Sequence, residues 1–143
     1  MPILRELEVR YRFVEVDCEV TGSVLNSPEK IHQIFHFLKY EPKEKLIVVN
    51  LNNKNAIMNY EVVATGKVNG VNARAAEVLK TAVLVNANAV ILIHNHPSGS
   101  SEPSKEDKRF TLRVLNACKA LNITLLDHII IGEQGFYSLK EGC

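Results

Sequence analysis

Two periods of apolar and polar positions alternate along the chain, and the changes between them mark its elements. Leu7, Val9, Tyr11 and Phe13 alternate with charged residues; Val14, Val16, Cys18 and Val20 then alternate in the opposite phase. Such a phase change predicts extended structure with a bulge or bend near Phe13. This N-terminal arm, residues 1–26, is expected either as an edge strand or as a segment that pairs with a second copy to give a homodimer. Ser27-Pro28 then reads as a helix start, with Ser at the N-cap and Pro at the first helical position. Ile31, Ile34, Phe35 and Leu38 form the buried stripe of that helix, which should end near Tyr40, before Pro42. Leu46 to Leu51 predicts a strand and Ile57 to Ala64 its hairpin partner across the polar turn at 52–55. Ala73 to about Ala87 predicts a helix with Ala76, Leu79 and Val83 on its apolar side.

The continuous apolar run 89–93 predicts a buried strand in a sheet covered on both faces. A helix follows from about Ser104 to Leu121, with Phe110, Val114, Ala117, Cys118 and Leu121 inward. Ile123 to Ile131 is a second strongly apolar strand, and Gly132-Glu133-Gln134-Gly135 turns it into a short last strand at Phe136 to Ser138. Hairpins together with helical crossovers imply a three-layer α/β domain with a mixed sheet over residues 27–143.

Composition adds limits. The chain's 143 residues suit a single domain with one real core, and 46% hydrophobic with 23% charged residues is ordinary globular content. A net charge of +1 argues against nucleic-acid binding by bulk electrostatics. No apolar run approaches the roughly 18 residues of a membrane span. The charged N-terminus lacks a signal-peptide core. Cys18, Cys118 and Cys143 are odd in number and widely spaced, which fits reduced thiols in a cytoplasmic protein.

The chemistry concentrates in I-H-N-H-P-S-G-S-S-E-P-S-K-E-D, Ile93 to Asp107. Side chains two apart in a strand point the same way, so His94 and His96 leave the strand on one face. Pro97 cannot donate to a ladder and stops the strand; the loop to Pro103 leads into a helix whose first turn carries Asp107. Two imidazoles and a returning carboxylate make a three-ligand pocket for a divalent metal, with a fourth position free for water. Taken alone, each piece has an ordinary explanation. The histidines could be polar residues at a strand end, and Ser104 with Asp107 could form a helix capping box.

The spacing His-x-His, seven residues, Ser-x-x-Asp resembles the JAMM signature, and H-N-H-P-S-G with the later L-D-H-I-I-I-G (Leu126 to Gly132) resembles the RadC family of bacterial MPN-like domains. The resemblance runs from about Ser27 to the C-terminus and implies an MPN-like (cytidine-deaminase-like) α/β/α fold. It implies a zinc ion (Zn2+) held by His94, His96 and Asp107, and hydrolysis of a peptide or isopeptide bond in a protein substrate by metal-activated water. It also implies a glutamate early in the domain as the base, matched here by Glu44 in K-E-K-L-I-V-V, and a serine donating to the oxyanion, matched by Ser104. Glu61, an acid in an otherwise apolar strand, is the other candidate base. Asp127 and His128 are candidates for orienting a ligand imidazole.

Two departures bear on these implications. Where the family has a His-Pro-Arg-Glu run before the metal strand, this chain has Asn72-Ala73-Arg74-Ala75, keeping only the arginine. In that family the domain often follows a helix-hairpin-helix module, for which this chain leaves no room, so DNA binding attributed to that module is not expected here. The alternatives are a catalytically silent, metal-bearing binding module and, suggested only by the family's historical naming, a DNA-repair accessory protein. The triplet also spells H-N-H, but HNH nucleases carry those residues dispersed over a longer ββα-metal unit, so nuclease activity does not follow.

Overall fold

The computed structural model describes residues 2–15, 24–66 and 73–140. Ser27 accepts from the Lys30 amide at 3.2 Å and Pro28 opens α1 (Pro28–Phe35), which tightens into a 3₁₀ turn at His36–Tyr40. The strand β1 (Lys45–Leu51) pairs antiparallel with β2 (Ile57–Thr65). The turn between them is built on Asn52, whose side-chain oxygen accepts from the Lys54 and Ala56 amides, and on Asn55 at φ 60. After α2 (Ala75–Leu84) come β3 (Ala89–Asn95), α3 (Lys105–Leu121), β4 (Thr124–Ile131) and β5 (Phe136–Ser138).

The five strands lie in the order β2-β1-β3-β4-β5, with β3 and β4 parallel and every other pair antiparallel. The parallel pair needs a crossover, and α3 supplies it. Strand alternation splits the core in two. Ile47, Val49, Ile91, Ile93, Ile129 and Ile131 pack against Ile31, Phe35 and Leu38 of the first helical segment. Leu46, Val48, Val90 and Leu92 pack against Val78, Leu79 and Ala82 of α2 and Phe110, Val114 and Cys118 of α3. The result is the three-layer α/β/α domain with a mixed sheet that the periodicities predict. All seven residues of β3 are buried, which fits its place at the centre of the sheet between two helical layers.

Several expectations change. The α2 helix is shorter than its propensities suggest, because Val85 caps it and Asn86, at φ 57, turns left-handed. Its inward side is Val78, Leu79 and Ala82, whereas Ala76 is exposed and Val83 is 53% exposed. The segment is apolar on nearly every side, so composition could not fix which face turns inward. On α3, likewise, Leu121 is half exposed rather than in the core.

In the arm, residues 2–15 enter neither helix nor strand and are all exposed, so the predicted edge strand does not form there; Val16, Cys18 and Val20 lie outside the described residues. No helix among the described residues is long and apolar enough to cross a membrane.

Candidate metal centre

The alternation that buries β3 also aims its chemistry. Val90 and Leu92 face the α2–α3 layer, so His94 on the same side of the strand meets α3, and it is only 3% exposed. The pairing with β4 runs one residue past the strand, since the His96 amide donates to the Ile131 carbonyl at 3.0 Å. The chain then reverses through Gly99, at φ 92, whose amide donates to the His96 carbonyl. That loop lies directly on the β4–β5 turn. Glu133 donates its amide to Gly99, and a Cβ on Gly132 would fall 2.6 Å from the Gly99 carbonyl oxygen and 2.9 Å from the Ser101 nitrogen. Gly132 at the end of the Leu126–Gly132 segment is therefore a requirement of close approach.

The loop delivers Ser104 as the N-cap of α3. Its Oγ accepts from the Asp107 amide at 3.0 Å, and Asp107 Oδ2 accepts from the Ser104 amide at 2.9 Å. This is the capping box, and it coexists with the convergence on the histidines rather than replacing it. The box fixes the carboxylate with its oxygens toward the strand: His96 Nε2 lies 3.1 Å from Asp107 Oδ2 and His94 Nε2 lies 3.4 Å from Oδ1. The two Nε2 atoms are 3.0 Å apart. One ligand atom from each of the three residues falls within 4.8 Å of the others, so the trio could hold a metal ion.

Hydrogen bonding behind the rings sets their tautomers. His96 Nδ1 faces the Ser100 carbonyl at 2.9 Å, so it carries the hydrogen and Nε2 presents a lone pair. Behind His94 the hydrogen bonds run through two further residues, His128 and Thr111. Thr111 donates its hydroxyl hydrogen to the Asp107 carbonyl at 2.7 Å, leaving its oxygen to accept from His128 Nδ1 at 2.6 Å. His128 Nε2 is then an acceptor, 2.7 Å from His94 Nδ1, which must donate. Both ligand imidazoles thus turn lone pairs toward each other beside a carboxylate. With both rings neutral, three electron-rich atoms face one another and repel unless positive charge, as a proton on His96 or a metal ion, sits between them, which is the donor chemistry of a cation site.

The acid–base behaviour agrees. Burial opposes ionisation of Asp107, but bonds to His94, His96 and the Ser104 amide outweigh it and hold the carboxyl well below its ordinary range. The bond to Asp107 raises His96, against its own burial and with help from the Ser100 carbonyl and the charges of Asp107 and Glu44. Complete burial, followed by the proximity of His94, pushes His128 far down, so it stays neutral as the relay requires.

The remaining expected residues fall as follows. Glu44 precedes β1. The β1–β3 register pairs Leu46 with His94, so two steps back along the ladder Glu44 stands across from His96 and on the same side of the sheet. Its carbonyl accepts from Gly66 at 2.8 Å. Glu61 is elsewhere: it lies on β2 opposite Val48, with β1 between it and β3, and it ion-pairs with Lys80 of α2 at 3.7 Å. His128 contacts His94, whereas Asp127 accepts from Ser138 and the Lys140 amide and ties β4 to β5. Arg74 is the exposed N-cap of α2, and Asn72 lies outside the described residues. A polar groove of about 520 Å³ adjoins His96, lined by Lys39, Tyr40, Pro97, Gly99, Glu133 and Gln134.

Sequence reasoning missed Thr111 and Asn95. Thr111 was findable, since it lies one helical turn beyond Asp107 on the same face of α3. Asn95 gave only a weak signal: a polar residue inside a strand at a position where alternation turns it away from the imidazoles.

Comparison with known proteins follows the same outline. A family model described as a RadC-like JAB domain matches residues 25–143. A UPF0758 protein of Carboxydothermus hydrogenoformans is 38% identical over 138 residues, covering 96% of this chain and 61% of the relative. UPF0758 proteins of Chlorobium phaeovibrioides and Aquifex aeolicus are 46% and 42% identical, over 71% and 76% of this chain and 45% and 48% of their own lengths. The chain thus spans less than two thirds of these relatives.

Proposed function

This chain belongs to the RadC-like JAB domain family, and on that premise we propose that it is a zinc-dependent metallohydrolase cleaving a peptide or isopeptide bond with metal-activated water. The observation that carries the proposal is the pair of imidazole Nε2 atoms 3.0 Å apart beside the Asp107 carboxylate, each ring oriented by a hydrogen bond behind it. Two neutral nitrogens and one carboxylate suit zinc and leave a coordination position open. A zinc ion bound there supplies a Lewis acid and lowers the pKa of a water from about 16 to about 7.

The chain's own groups do the rest. His94, His96 and Asp107 hold the cation. Glu44, across from His96 on the same side of the sheet, takes the water's proton and returns it to the leaving amine. The Ser104 oxygen already accepts from the Asp107 amide, so its hydroxyl hydrogen is available to the negative charge that grows on the scissile carbonyl oxygen. Glu61, held by Lys80 on the far side of β1, takes no part. The groove beside His96 receives the polypeptide substrate. Buried Cys118 carries a free thiol, in keeping with a reducing, cytoplasmic setting.

Protein purified without chelators should carry about one zinc, lost in Asp107→Ala, and should cleave a mixed peptide pool in a Glu44-dependent manner. Metal-free protein with its fold intact, from metal-replete cells, refutes the proposal. A second reading is favoured by the sequence at 72–75, which keeps only the arginine of the family's run: a metal-bearing module that binds a partner without turnover. It predicts zinc with no cleavage and an unchanged phenotype for Glu44→Gln.

A further inference from the structure

We infer that Asn95 is a positioning residue whose side chain holds Glu44 against the metal centre; this rests on Glu44 being the base proposed above. Asn95 sits between the two histidines in sequence, but strand alternation puts it on the other side of β3, and it is 1% exposed. It is not a ligand. Its carboxamide instead reaches β1, accepting from the Lys45 amide at 2.7 Å and donating to the Lys43 carbonyl at 3.1 Å.

Those two groups flank Glu44. The β1–β3 ladder ends with Leu46 opposite His94; one further step sets Lys45 opposite Asn95, and a second sets Glu44 opposite His96. Beyond the last pair the backbones stop bonding to each other, and the Asn95 carboxamide, which has the donor and acceptor of a peptide group, continues the pairing. On the other side the Gly66 amide bonds to the Glu44 carbonyl at 2.8 Å. The Glu44 backbone is thereby fixed from both neighbouring strands although it lies outside β1. A glutamate at the start of a strand would otherwise sample many positions, and a base displaced by about 1 Å can cost on the order of a hundredfold in rate. One residue type thus links the ligand strand to the base: its neighbours hold the ion while it places the carboxylate.

Sealing the end of the sheet would also account for a buried asparagine, so the test must read the carboxylate's effect rather than stability. The full chain is loaded with Co2+, and the visible spectrum gives both the affinity and the pH at which the bound ion's spectrum inflects. Glu44→Gln removes a negative charge beside the ion and should lower that inflection, by about one unit. Asn95→Ala, and the uncharged, near-isosteric Asn95→Leu, which loses both bonds to β1, should retain one Co2+ and shift the inflection the same way. Combined with Glu44→Gln, each should add no further shift.

If Glu44→Gln leaves the inflection unmoved, the assignment of the base fails and this inference with it. If Glu44→Gln moves it but the Asn95 variants do not, or their shifts add to that of Glu44→Gln, the inference alone is overturned. Loss of Co2+ binding in both Asn95 variants assigns Asn95 to the integrity of β3 and overturns it as well.

Discussion

Replacing Thr111 by Val should weaken zinc binding although Thr111 touches no ligand atom. The substitution conserves shape and removes one hydroxyl. That hydroxyl donates to the Asp107 carbonyl and accepts from His128 Nδ1 at 2.6 Å, which forces His128 to present Nε2 as the acceptor for His94 Nδ1 at 2.7 Å. Without it, His128 can carry its hydrogen on Nε2 instead and donate toward His94. His94 is then driven to the tautomer with hydrogen on Nε2, the atom that must face the metal. Partners of this kind are worth about 10- to 100-fold in metal affinity, or about 1.4–2.7 kcal/mol. The fold should lose less, about 1 kcal/mol for one hydrogen-bonded hydroxyl. Competition against a chromophoric chelator gives the zinc affinity, chemical denaturation of the metal-free protein gives the stability, and Thr111→Ser restores the hydroxyl as a control. Wild-type affinity in Thr111→Val, or equal weakening in Thr111→Ser and Thr111→Val, refutes the tautomer argument.

Gly132→Ala should destabilise the protein by about 1–3 kcal/mol and weaken metal binding, because the new Cβ would lie 2.6 Å from the Gly99 carbonyl oxygen and push the loop off the β4–β5 turn; Gly135→Ala, with nothing within 4 Å, should be near neutral in the same denaturation assay. The folded-state pKa of His96 lies above its ordinary 6.5, so its bond to Asp107 stabilises metal-free protein fully below that value and is lost as pH rises through the raised one. The stability difference between wild type and His96→Gln should therefore shrink as pH rises above 6.5 and through the raised value; a constant difference contradicts this. Metal affinity should run the other way, rising with pH as His96 gives up its proton, which isothermal titration calorimetry in several buffers would show as proton release on binding. Glu44→Gln should retain zinc yet lose cleavage by about 10²- to 10⁴-fold, measured on the same peptide pool as wild type.

The strand–loop–helix unit was legible because its signals are local: a short apolar run, a proline that ends it, and an N-cap serine with an acid three residues on. The two-sided sheet followed from runs such as Ala89–Ile93 that leave no polar face. What the sequence left open depended on contacts between distant segments. Glu44 and Glu61 are equivalent as acids near strands, and only the register, Leu46 with His94 and Val48 with Glu61, separates them in space. The inward side of α2 was open because Ala, Val and Leu surround it, and the phase was set by the sheet it covers. Asn95 was silent for a similar reason, since its two partners lie 50 and 52 residues away. The alternation of the arm lacks a partner strand over residues 2–15, and a pattern without a partner does not make a strand.

X-ray absorption at the zinc edge of the loaded protein reads directly whether His94, His96 and Asp107 share one cation. The prediction is a low-coordinate shell of nitrogen and oxygen at about 2.0–2.1 Å, with the outer-shell pattern of two imidazoles reduced or lost in Asp107→Ala. A shell containing sulfur at about 2.3 Å, or one without imidazole scattering, would contradict it.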